Sequence, residues 1–232
     1  MKIFIGLLIA VLGLTATIPW VKRYVPSQYN PFIPLSITDP ATFITRYKLK
    51  KLTNNLPLCM AVLERARSAG QITFSLPPAI RGNCPLSHPV RIQRFGKIEL
   101  SSSFLASCPM AVRSAMFVLQ LSKQNGENTT FSPLMRIEHV GSYACRNIYH
   151  RAQGRLSEHA TAEAWDVTDF QFKSGEKIGV QRNWKRPEGK ARWLHQTFQQ
   201  SCGYFGNSLG PDYNAAHASH FHFGLRGYGL CR

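Results

Sequence analysis

Acidic residues are scarce in this sequence: Asp and Glu together number 12, against 28 Lys and Arg, for a formal charge of +16. No motif for binding RNA or DNA accompanies this charge, so we expect anionic partners other than nucleic acid. Internal repeats and low-complexity segments are also lacking, which argues against a repeat architecture and a disordered chain. With 232 residues, 44% of them hydrophobic, the chain can build one ordinary core.

The sequence lacks a C-x-x-C pair, which argues against a zinc ribbon and against a redox motif. Its cysteines are instead widely spaced. An even number at such spacing predicts up to three disulfides in an oxidising compartment. The sequence leaves their pairing open. The six are Cys59, Cys84, Cys108, Cys145, Cys202 and Cys231.

Residues 3–20 carry no charge, and Lys2 precedes them while Lys22 and Arg23 follow. Such a run is just long enough to cross a bilayer as a helix. A removed signal peptide usually ends in a small-x-small cleavage site, which fits poorly here. We therefore expect a transmembrane anchor over 1–24 in preference to a signal peptide, a proline-rich tether over 25–38, and one domain over 39–232.

Helical spacing of apolar residues predicts helices over 56–68, 108–121 and 189–204. Alternation predicts strands over about 90–100, 164–172 and 219–225. Together these patterns predict an α+β fold, with a small antiparallel sheet whose floor carries Asp166, His220 and His222. Helices would flank this sheet, after the N-terminal transmembrane helix.

Three histidines stand within six residues near the C-terminus: His217, His220 and His222. The last two are two residues apart on a predicted strand, so both imidazoles point to one face. Imidazole is a common metal ligand and a common general base. The upstream pair is His159 and Asp166, seven residues apart. The alternatives for this stretch are a helix cap for Ser157 and a surface salt bridge for Asp166, so the spacing alone is a weak signal.

The pattern S-x-H-x-x-A-x-A-x-D-V at 157–167 resembles the S-x-H-x-x-G-x-A-x-D-V motif of zinc peptidases that act on bacterial cell-wall peptides. These include the D-Ala-D-Ala metallopeptidases and the penicillin-insensitive murein endopeptidase. The segments GSYACR at 141–146, LGPDYNAAH at 209–217 and HFH at 220–222 resemble the bacterial extensin-like C-terminal domain family. Ala162 departs from the peptidase motif, and a negative φ there would make it tolerable.

The resemblance implies that His159, Asp166 and His222 hold Zn²⁺, although His220 and His222 could exchange roles. It makes His220 the general base, and His217 would either help it or hold the tetrahedral oxyanion. Arg146 and Arg151 are candidates to bind a peptide carboxylate, and Ser157 is a candidate for a hydrogen bond within the site. Either arginine could equally be a surface charge, and Ser157 could be only a helix cap. Glu158, Glu163, Asp169 and Asp212 are candidate partners for the far nitrogen of a zinc-bound histidine.

From the resemblance we expect a membrane-anchored zinc metallopeptidase that hydrolyses peptidoglycan stem-peptide or cross-link amides, as an endopeptidase or a carboxypeptidase. It would be a single-pass inner-membrane protein with its domain in the periplasm and peptidoglycan as its partner. Two alternatives stay open: a cell-wall-binding module that retains the metal site with little activity, and a disulfide-rich structural domain without metal. The oligomeric state is not predicted.

Overall fold

A computed structural model describes residues 4, 15, 17–127, 131–227 and 229–232. Its helices include α1 (Phe43–Thr53), α2 (Leu56–Ser68), α3 (Cys108–Glu127), α4 (Val180–Asn183), which is a single turn, and α5 (Glu188–Ser201). The strands are β1 (Thr73–Ser75), β2 (Val90–Phe95), β3 (Ile98–Ala106), β4 (Leu134–His139), β5 (Ala164–Phe172), β6 (Lys177–Gly179), β7 (Asn207–Leu209), β8 (Phe221–Gly224) and β9 (Leu230–Cys231).

Within the described residues, these nine strands form one mixed sheet in the order β1-β2-β3-β4-β5-β8-β7-β9, and β6 also pairs with β5. The pairs β3–β4 and β7–β9 are parallel, and the others are antiparallel. The fold is therefore α+β, but the expected small antiparallel sheet was wrong in size and in pairing. The parallel step from β3 to β4 is possible because α3 carries the chain back across the sheet.

The hydrophobic core lies between one face of the sheet and the helices. Trp165 of β5 stacks on Phe104 of β3, with ring centroids 5.0 Å apart. Phe117 of α3 meets the edge of Phe223 of β8 at 5.1 Å. Because side chains alternate along a strand, burying Trp165 and Phe223 here turns their neighbours Asp166 and His222 to the opposite face.

The N-terminal prediction fails. No helix in the described part of the chain is long and apolar enough to cross a membrane. This contradicts the predicted transmembrane anchor over 1–24 and the single-pass inner-membrane location deduced from it. Residues 1–3, 5–14 and 16 of that stretch lie outside the described residues, whereas residues 17–24 are helical.

Residues 25–38, which were predicted as a proline-rich tether, make several contacts with the neighbouring parts of the chain. Leu35 and Ile37 are buried in the core. The side chain of Asn30 donates to the carbonyl of Val21 at 2.7 Å, and the ammonium of Lys48 on α1 donates to the carbonyl of Ser27 at 2.9 Å. These contacts bind the segment to the domain.

The structure pairs all six cysteines. Cys59–Cys108 joins α2 to α3, Cys84–Cys145 joins the loop before β2 to the loop after β4, and Cys202–Cys231 joins the end of α5 to β9. Each bridge connects segments that are distant along the chain, and such disulfides persist in an oxidising compartment.

Candidate metal centre

Asp166 and His222 lie side by side because β5 and β8 are antiparallel neighbours in register. Asp166 is directly opposite His222, as Trp165 is opposite Phe223. Directly opposed residues share a face, so the aromatic pair enters the core while the polar pair faces outward. His222 Nδ1 lies 2.9 Å from Asp166 Oδ1. The β-sheet therefore supplies two of the three predicted ligands from rigid strands.

His159 comes to the same place from a short 3₁₀ turn, Glu158–Thr161, which precedes β5. Ser157 caps this turn, because its hydroxyl accepts the backbone N–H of His159 at 3.3 Å. The Nδ1 atom of His159 donates to the carbonyl of Ser142 at 2.7 Å. Its Nε2 faces the opposite way and lies 3.2 Å from Asp166 Oδ2.

Ala162 ends the turn in the left-handed region, with φ of 51°. The negative φ that would have made alanine tolerable here is therefore not what the structure shows. The peptidase motif has glycine at this position, and glycine adopts such a conformation without the steric cost that a Cβ brings. Ala162 is nevertheless fully buried, and its carbonyl accepts the N–H of Ser107 at 2.8 Å. The surrounding contacts hold the strained conformation.

His159, Asp166 and His222 form one compact buried cluster. Their candidate ligand atoms all lie within 4.8 Å of one another. Two imidazoles and one carboxylate are a donor set known from catalytic zinc sites. The closest donor separations, 2.9 and 3.2 Å, approach the roughly 3.4 Å between ligands of a tetrahedral zinc ion. The residues present therefore fit Zn²⁺.

Hydrogen bonds within the cluster shift two pKa values. Burial alone would raise the pKa of Asp166, but hydrogen bonds from His159 and His222 outweigh it and hold that pKa well below its usual range. Burial opposes the charge on His222, yet hydrogen bonds to Asp166 and Glu158 raise its pKa to about 9. The metal-free site thus carries a proton on His222 at neutral pH, and a metal ion must displace it.

His217 and His220 stand beside the cluster outside any strand. His220 immediately precedes β8, so the strand begins later than expected, and its Nε2 lies 3.7 Å from Asp166 Oδ1. Burial lowers the pKa of His220, and the charge of Asp166 opposes that effect. Burial, with His222 and His220 nearby, lowers the pKa of His217 to about 4. Both imidazoles are therefore neutral and able to accept a proton at neutral pH.

The orientation of His217 depends on Asn214, a residue that the sequence did not single out. Asn214 Oδ1 lies 2.7 Å from His217 Nδ1 and accepts a hydrogen bond from Nδ1–H, which leaves the lone pair of the neutral ring on Nε2. The amide nitrogen of Asn214 donates to the hydroxyl of Tyr149 at 3.1 Å. The position of Asn214 three residues before His217, in a turn that it caps, was the available signal.

The cluster lies in an open cavity of about 660 Å³. Arg146 and Ser157 line it, as expected, and Arg155 lines it although the sequence gave no separate indication. Arg151 does not line it, and its guanidinium lies 6.0 Å from the ring of Tyr149. In the described part of the chain, no hydrogen bond or ion pair engages the guanidinium groups of Arg146 and Arg155.

Comparison with known families shows to which family the chain belongs. The model of the extensin-like protein C-terminus matches residues 57–232. The chain belongs to the extensin-like protein C-terminus family. No curated protein and no solved structure matched it. The extensin-like region contains all six cysteines and the whole candidate metal centre, and it begins at the first turn of α2.

Proposed function

We propose that this extensin-like protein is a zinc-dependent amide hydrolase that acts on peptidoglycan peptides. The observation that carries the proposal is the convergence of His159, Asp166 and His222 in the wall of an open cavity. The resemblance of 157–167 to the motif of wall-peptide zinc peptidases supports it, because its histidine and aspartate positions, His159 and Asp166, are two of the three residues that converge.

In this proposal His159, Asp166 and His222 would hold the metal ion at the wall of the cavity. The cavity face is where a substrate can approach, because the opposite side of β5 and β8 is closed by Trp165 and Phe223. Bound zinc would supply Lewis acidity, which activates a water molecule and polarises an amide carbonyl.

We assign the general base to His220. Its Nε2 points into the cluster, and its lowered pKa leaves it able to take a proton from the attacking water at neutral pH. His217 stands next to it, with ring centroids 5.6 Å apart, and its free Nε2 can accept a proton or a hydrogen bond at the same face. Removing either histidine should lower kcat while leaving zinc bound.

The walls of the cavity suit an anionic peptide. Arg146 and Arg155 offer planar groups of N–H donors that match a carboxylate. Stem peptides carry free carboxylates, and the net charge of +16 would concentrate such a polymer around the protein. The proposal leaves open whether a cross-link amide or a terminal D-alanine amide is cut, and product masses distinguish them.

Digestion of purified sacculi and cross-linked muropeptides, followed by mass spectrometry, tests the proposal. The wild-type protein should release peptides only when zinc is present, and a chelator should stop the release. His159→Ala and Asp166→Ala should abolish both release and zinc binding.

Asp169→Asn is the matched control, because Asp169 lies on the same strand but pairs with Arg182 at 2.6 Å outside the cavity. It should retain activity. Unchanged release by Asp166→Ala would refute the proposal. Binding to sacculi without any chelator-sensitive product would instead support a wall-binding module.

A further inference from the structure

Glu158 occupies the side of His222 that faces away from the cluster. Its Oε2 lies 3.5 Å from His222 Nε2, while His222 Nδ1 faces Asp166 at 2.9 Å. The imidazole is thus held between two carboxylates, one at each ring nitrogen. Only one of them, Asp166, belongs to the ligand cluster.

Two further donors fix the carboxylate of Glu158. The backbone N–H of Arg226 donates to Oε1 at 2.6 Å, and the side-chain amide of Asn207 donates to Oε2 at 2.8 Å. Glu158 therefore bridges the 3₁₀ turn, β7 and the loop after β8. A carboxylate held from three sides has little freedom to rotate, so it constrains the ring that it contacts.

Gly224 leaves the space that this arrangement requires. A Cβ on Gly224 would lie 2.6 Å from Glu158 Oε2 and 2.6 Å from both polar atoms of the Asn207 amide. These contacts are shorter than real Cβ atoms make, so any other residue would displace the carboxylate or the amide. The positions of the Glu158 carboxylate and the Asn207 amide therefore depend on the absence of a side chain at position 224.

We propose that Glu158 is a positioning residue that fixes His222 with Nε2 protonated and Nδ1 presented to the metal. This inference rests on the proposed zinc site. The mechanism is the choice of tautomer: a carboxylate accepting from Nε2–H leaves the lone pair on Nδ1. His159 carries the opposite arrangement, because the Ser142 carbonyl accepts from its Nδ1–H and Nε2 faces the cluster. The two histidine ligands thus present different nitrogens, each selected by a neighbouring acceptor.

Nitrogen-15 NMR of the wild-type protein, titrated with zinc chloride alone, tests the assignment directly. His222 should show metal-bound Nδ1 and protonated Nε2, and His159 should show metal-bound Nε2 and protonated Nδ1. Binding of zinc through Nε2 of His222 would overturn the inference. This measurement needs no variant and no substrate.

Zinc affinity of Glu158→Gln, measured by chelator competition, provides the second test. Glutamine offers one acceptor oxygen where three donors converge, so at least one donor faces an amide N–H₂ group. We expect zinc affinity to fall about 10- to 100-fold. Glu163→Gln is the matched control: Glu163 contacts Thr161 Oγ1 at 2.7 Å and Arg226 Nε at 3.6 Å, with no imidazole, and should bind zinc like the wild type.

The outcomes of these experiments distinguish the role of Glu158 from the proposed function. If the wild type binds zinc tightly and Glu158→Gln binds it equally well, the role of Glu158 is refuted while the proposed function stands. If the wild type takes up no zinc at all, the proposed function and this inference both fail. A loss of affinity shared equally by Glu158→Gln and Glu163→Gln would also refute the role, because it would show only a general weakening of the turn.

Discussion

The metal-free protein should lose stability as the pH rises from about 7 to 9.5. The group responsible is His222, whose pKa is raised from 6.5 to about 9 by hydrogen bonds to Asp166 and Glu158. A raised pKa means that the folded state binds the proton more tightly than the unfolded chain. Its contribution is complete below about pH 6.5 and is lost as the pH rises through about 9.

The size of the effect follows from the pKa values. Each pH unit between 6.5 and 9 corresponds to about 1.4 kcal/mol, so the full contribution is about 3 kcal/mol. Between pH 7 and 9.5 we expect a loss of about 2 kcal/mol in the free energy of unfolding. Asp166 remains ionised in both states over this range. The lowered pKa values of His217 and His220 act at lower pH, where protonation favours the unfolded chain.

The assay is urea unfolding with the disulfides intact and a chelator present, repeated at several pH values. His222→Gln provides the control, because it removes the titrating group and should remove most of the slope. Saturating zinc should also flatten the wild-type slope, since the ion takes the place of the proton. A wild-type slope that matches that of His222→Gln in chelator would refute the reasoning.

Three further predictions follow from the same geometry. Replacing Cys84 and Cys145 by serine should lower the free energy of unfolding by about 4 kcal/mol, measured in urea, because the bridge closes a loop across 61 positions. Arg155→Gln should raise KM for anionic muropeptides about tenfold with little change in kcat, because it removes a charged hydrogen-bond donor from the cavity wall; an equal loss on an amidated peptide would contradict this. Gly224→Ala should weaken zinc binding in chelator competition at least as much as Glu158→Gln, and unchanged affinity would show that the space at 224 is not needed.

Local sequence patterns predicted several elements accurately. Helix α2 occupies Leu56–Ser68 and strand β5 occupies Ala164–Phe172, as predicted. Both carry their own boundary signals. Asn55 caps α2 by accepting the N–H of Leu58 at 2.9 Å, and β5 ends at a turn with Gly175 in the left-handed region. Such signals lie within a few residues, so they can be read without knowledge of the fold.

The pairing of strands could not be predicted in the same way. Strands β7 and β9 have three and two residues, too few to show alternation. The parallel pairing of β3 with β4 depends on how α3 packs, and no local sequence pattern indicates that packing. At the N-terminus a local pattern was instead misleading. The long uncharged stretch predicted a membrane anchor, and the described residues contain no such helix.

The amino-acid sequence by itself determined which residue types are available for the site, because His159, Asp166 and His222 stand in recognisable motifs. Only the tertiary structure decided which of the candidate side chains lie together. The register of β5 against β8 sets His222, and not His220, opposite Asp166. The loop geometry brings Arg155 to the cavity and leaves Arg151 outside, and it places Glu158 beside His222. Each of these choices depends on atoms far apart along the chain, and such contacts exist only once the backbone has folded.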